Sequence, residues 1–97
     1  MASYVCLIRF TDQGIGNIQD TVKRGDAAIA EAKKMGMKIV EEYWTMGAYD
    51  AVVIIEAPDD ETMSAFILKV GSLGNVKGQT LRGFRRNEME GILAKIK

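Results

Sequence analysis

Apolar and polar positions along this chain follow two rhythms. In Tyr4-Val5-Cys6-Leu7-Ile8-Arg9-Phe10 and in Ala51-Val52-Val53-Ile54-Ile55 the apolar residues run almost without a break. Such runs, bounded by turn residues, predict strands buried on both faces. Residues 38–45 are mixed, but Tyr43-Trp44-Thr45 suits a pleated, half-buried surface and predicts another strand. Residues 75–86 predict a fourth, more polar strand. Between these runs the period becomes helical. Gly25, Ala28, Ile29, Ala32 and Met35 share one face of a helix predicted from a Thr21 N-cap to Met35, with Gly36 at its left-handed end. Those side chains are small, which predicts close approach to a sheet. Met63, Phe66, Ile67 and Val70 form a second stripe behind an Asp59 N-cap, and Gly71 and Gly74 end that helix. Met89, Ile92, Leu93 and Ile96 form a third, with Asn87 as cap and Glu90 in capping-box position. Residues 15–20 read equally as a helical turn or a loop.

Residues 43–60 hold the pattern together. Met46-Gly47-Ala48 interrupts two strong strands, and Gly47 is suited to a positive φ, so a hairpin with a three- or four-residue loop is predicted. Pro58 lacks the N–H that a continuing ladder needs. The order is therefore β-α-β-β-α-β followed by a helix: an α+β, ferredoxin-like, antiparallel four-stranded sheet with order 4-1-3-2. The polar strands fall at the edges, where Glu41 and Glu42 on one and Lys77, Arg82, Arg85 and Arg86 on the other oppose further pairing. Both crossover helices then cover one face. Arg9 follows Val5 and Leu7, and Glu56 follows Val52 and Ile54, so these four apolar residues are predicted to face away from the helices. A last helix of about ten residues, roughly 15 Å, covers that face poorly. A homo-oligomer pairing sheet against sheet is expected.

The segments Tyr43-Trp44-Thr45, Gly47, Tyr49-Asp50, Glu56-Ala57-Pro58-Asp59-Asp60, Gly71-Ser72-Leu73-Gly74-Asn75-Val76 and Thr80-Leu81-Arg82 resemble the GYD-domain family. The opening Phe10-Thr11-Asp12-Gln13-Gly14 fits as well. The resemblance covers nearly the whole of residues 1–97, taken as one domain. Thr21-Val22 before Lys23-Arg24 departs from the Ser-Pro expected there. The resemblance implies a dimeric α/β barrel and little about activity.

Composition narrows the function. Lys and Arg number 13, Asp and Glu 13, so charge favours neither nucleic acid nor a membrane surface as partner. No apolar run reaches the length of about 18 residues that a spanning helix needs. Cys6 stands alone, which suits a reducing cytoplasm. Histidine is absent, removing the usual general base and the commonest metal ligand. No cofactor and no metal are expected. Asp59 and Asp60 read as helix caps, and the methionines as core filler.

Six residues remain as ligand-binding candidates. Tyr49 and Asp50 open a central strand; they either pin the turn or form a pocket mouth. Trp44, the only tryptophan, either packs or stacks on a ligand. Thr80 and Arg82 share a strand face with Phe84, and Arg82 could clamp a carboxylate or phosphate. Asn75 follows a Gly-rich loop whose spacing fits no phosphate-binding fingerprint. Tyr49, Asp50 and Arg82 are expected to meet in one pocket. Three functions stay open: a homo-oligomeric small-molecule binding or sensing module, a cofactor-independent enzyme of monooxygenase or isomerase type, and a structural assembly subunit.

Overall fold

A computed structural model describes residues 1–96. Strand β1 is Ala2–Phe10, β2 Lys38–Trp44, β3 Ala51–Ala57 and β4 Val76–Gly83. They form one antiparallel sheet in the order β2-β3-β1-β4, the reverse reading of 4-1-3-2. The fold is α+β and ferredoxin-like. Helix α1 is Asp12–Gly16, α2 Thr21–Lys34, α3 Asp60–Ser72 and α4 Arg86–Leu93. The ambiguous residues 15–20 are helical, completing α1 and forming a 3-10 turn over Ile18–Asp20.

Register sorts the sheet into two faces. Tyr4 lies beside Ile55, and Cys6 beside Val53 and Thr80. With Ala57, Met63, Phe66 and Ala32 they form the buried core under α2 and α3. Val5 pairs with Ile54 and Leu81, and Leu7 with Val52 and Gln79, on the opposite face. That face is the one assigned to Val5, Leu7, Val52 and Ile54 from sequence. All four are half-buried in the single chain.

Local signals set most boundaries. Asp59 caps α3, its Oδ1 accepting from the Thr62 N–H at 2.7 Å, and this contact holds its carboxyl below the usual range. Gly36 takes φ +76 at the end of α2, and Gly47 takes φ +113. Residues 45–50 separate β2 from β3, but the Thr45 N–H donates to the Asp50 carbonyl at 2.9 Å, so the turn itself is the four residues 46–49. Thr21 does not cap α2. It is the first helical residue, and its hydroxyl accepts from the Trp44 indole at 3.0 Å. The last helix starts before Asn87: the Arg85 N–H donates to Glu88 Oε1 at 2.9 Å, so the capping pair is shifted two residues upstream.

Helix α4 does not pack on the sheet. Met89, Leu93 and Ile96 are 44%, 49% and 77% exposed, and the molecule is drawn out to 51 × 31 × 18 Å. Among the described residues no helix is long and apolar enough to cross a membrane.

Candidate functional site

The small side chains on α2 determine where space is left in the fold. Near the end of that helix Ala32 is fully buried against the sheet. Toward its start, Gly25 and Ala28 have too little volume to reach across. A cleft of about 400 Å³ remains between the first half of α2, the second half of α3 and the sheet. The expected close approach thus holds only at Ala32. Cys6, Ile8 and Phe10 of β1 and Val53 of β3 form the floor of the cleft, and Phe66 and Val70 of α3 form a wall. A space of this size and character accommodates a small organic molecule.

Polar groups reach this cleft at few points. Glu42 leaves β2 toward α2, and its carboxylate oxygens lie 3.0 and 3.4 Å from where a Cβ on Gly25 would stand. A side chain at position 25 would make the Glu42 head group shift. Burial, and then the Asp26 carboxylate, push the Glu42 carboxyl above its ordinary value. Burial likewise raises the Cys6 thiol, which lies 3.9 Å from the Thr80 hydroxyl. Arg24 is occupied, donating to the carbonyls of Asn17 at 2.8 Å and Gly14 at 3.3 Å. At the rim Lys69 pairs with Glu31 at 2.5 Å.

One end of the cleft is closed by an interlock. Thr11 Oγ1 donates to the Gly74 carbonyl at 2.5 Å, and the Thr11 N–H to the Asn75 carbonyl at 3.1 Å. Gln13 Nε2 reaches the Leu73 carbonyl at 3.0 Å and Asn75 Oδ1 at 2.9 Å. Gly14 packs so tightly that a Cβ there would stand 2.0 Å from the Asn75 oxygen. Two segments read separately as a strand end and a helix stop are one joint.

The six candidates separate. Trp44, Thr80 and Asn75 all line the cleft. Asp50 does not face it: Oδ2 accepts from the Phe10 N–H at 2.8 Å and its own N–H donates to the Ile8 carbonyl at 2.8 Å. Tyr49 lies under the Arg9 guanidinium, 5.0 Å from ring centre to Cζ. Arg82 is at the other end of the sheet. It pairs opposite Tyr4 and is sandwiched between the Tyr4 and Phe84 rings, 5.7 and 4.7 Å from their centres. Tyr4 and Phe10 are six residues apart on one strand, roughly 20 Å. The expected pocket of Tyr49, Asp50 and Arg82 therefore does not form within one chain.

The family described as GYD domain matches residues 4–93. The chain belongs to the GYD domain family. This GYD domain is 30% identical over 82 residues to the glutamine synthetase and cystathionine beta-lyase binding protein of Thermus thermophilus, covering 84% of this chain and 86% of that one. Among solved structures it is similar to TTHA0845 from Thermus thermophilus, with TM-score 0.57, 24% identity, and 88% and 95% of the two chains covered. It is also similar to MtbAldR, with TM-score 0.66 and 15% identity; 88% of this chain matches about half, 52%, of that one. Both likenesses describe the fold.

Glu42 is the site residue that sequence reasoning missed. It reads as an edge charge beside Glu41. Alternation carried the signal, since adjacent strand residues point to opposite faces and one of the two glutamates must turn toward the helices. Glu41 pairs beside Ile54 on the open face, and Glu42 beside Val53 on the helix side. Among the described residues no group of three His, Cys, Asp or Glu side chains is placed to hold a metal ion.

Proposed function

We propose that this GYD domain is a homo-oligomeric module that binds a small, largely apolar molecule. The cleft between α2, α3 and the sheet carries this reading: it is large enough for a ligand, apolar on most sides and polar at few points. Self-association rests on separate support. Val5, Leu7, Val52 and Ile54 make an apolar sheet face that α4 leaves uncovered, and the α4 stripe is itself exposed. The free, buried thiol of Cys6 suits a reducing cytoplasm.

A thermal-shift screen of the purified protein with small apolar compounds tests the binding role. Hits should stabilise the wild type and lose their effect in Ala28→Phe, which fills the cleft. An empty screen, or hits indifferent to that substitution, would overturn it. A second reading, docking onto another protein, is favoured by the name of the Thermus relative, which describes binding to two enzymes. Its test is co-sedimentation with purified glutamine synthetase, with Leu93→Glu on the exposed α4 stripe expected to abolish it.

A further inference from the structure

We propose that the molecule held in the cleft is an amphipathic amine, its apolar body against Phe66 and Val70 and its ammonium group on the Glu42 carboxylate. This rests on the binding reading above and adds the chemical class of the ligand. Glu42 makes no hydrogen bond or ion pair among the described residues, although its carboxylate is turned inward against α2. The charged groups around it are otherwise engaged. Arg24 is spent on two backbone carbonyls, and Lys69 on Glu31. Lys77 stands beside Arg9 in the register of the opposite sheet face. Asp26 on α2 adds negative potential at Glu42.

Arg24 keeps its charge but holds it on the Asn17 and Gly14 carbonyls, so the negative field is local to Glu42 and its neighbour Asp26. A carboxylate or phosphate ligand at this end would meet the Glu42 carboxylate, with Asp26 adding to the repulsion; Lys77 borders the cleft from β4, but its register with Arg9 turns it to the opposite sheet face. A neutral ligand would leave Glu42 partly desolvated and unpaired, the more costly arrangement. An ammonium removes that penalty and forms a charge-assisted hydrogen bond. The Thr80 hydroxyl and the Cys6 thiol, on the floor of the cleft, are further polar groups within it.

The test uses three compounds of one shape: phenethylamine, 2-phenylethanol and 3-phenylpropionate. In calorimetric titration of the wild type, phenethylamine should bind about tenfold more tightly than the alcohol, the difference between a charge-assisted and a neutral hydrogen bond, and the acid least. Glu42→Gln, nearly isosteric, should bring amine and alcohol to equal affinity. Amine binding should weaken on acidification as Glu42 protonates, with Arg24, Asp26, Glu31 and Lys69 the charged neighbours that shape the profile. If the alcohol or the acid binds as tightly as the amine, or Glu42→Gln leaves the preference intact, the amine assignment is wrong while the cleft stands. If none of the three binds, or binding survives both Ala28→Phe and the milder block Ala28→Leu, the binding reading itself falls and the amine with it.

Discussion

The two faces of the sheet are built from alternate residues of the same two strands, yet they end in different surroundings. Val53 and Ile55 lie 7% and 2% exposed beneath the helices, while Val52 and Ile54, which alternate with them, are only half-buried. Side-chain chemistry does not separate the two sets, since both are valine followed by isoleucine. The helix side is finished by the chain itself, and imperfectly, because small residues on α2 leave a cleft there. Among the described residues no element covers the other side. Apolarity in a strand therefore reports that a face is meant to be buried; it does not report what buries it.

Substitutions at adjacent positions test this contrast most sharply. Val53→Asp should unfold the chain, because an uncompensated buried carboxylate costs roughly 3–5 kcal/mol, a large share of a small domain's stability. Circular dichroism would show the loss. Ile54→Asp, one residue along, should keep the fold and instead dissociate the oligomer in analytical ultracentrifugation. If the wild type already sediments as a monomer at micromolar concentration, the open face has no second copy to meet. If Ile54→Asp also unfolds, the two faces are not distinct in the way described.

Next in size is the interlock that closes the cleft. Gly14→Ala places a methyl group 2.0 Å from the Asn75 oxygen, so α1 must shift. Overpacking of this kind costs about 1–3 kcal/mol. Urea denaturation should show a lower midpoint at unchanged slope, and an unchanged midpoint would mean that the joint yields freely. Gly47→Val affects both faces alike, since it sits in the loop between β2 and β3. A β-branched residue at φ +113 is strained by about 1 kcal/mol or more, which thermal melting should detect.

The smallest effect expected is a gain. Glu42 has a carboxyl pKa raised in the folded chain, so the folded state binds its proton more readily than the unfolded state does. Its contribution to stability is then most favourable below the unfolded value, about 4.3, and is lost as pH rises through the higher folded value. At neutral pH Glu42→Gln should raise the melting temperature slightly, and the difference should vanish below about pH 4. A lower melting temperature at neutral pH would show that Glu42 has a stabilising partner and is not held in reserve for a ligand.

Strand and helix order, sheet order and the division of the central strands into two apolar faces were legible in the residues themselves. Those features depend on periodicity and on turn residues such as Gly36, Gly47, Pro58 and Asp59, which act over a few neighbours. Contacts between distant segments were not legible. Nothing near Gly14 announces that the Asn75 carbonyl, far along the chain, lies against it. The double role of Asp50 was hidden for the same reason: its carbonyl accepts from Thr45 at the end of the hairpin, while its carboxylate and its N–H bind the end of β1. Arg82 and Asp50 both belong to motifs of the family, and no local pattern reveals that β1 holds them roughly 20 Å apart. The cleft was hidden most deeply. Whether a face of glycine and alanine closes on a sheet or stands off from it depends on the angle at which α2 crosses, and that angle is set by everything α2 touches at once. Local pattern thus determined which residues are turned inward. Only the assembled packing decided that Glu42 meets a void, and that the second apolar face is left open.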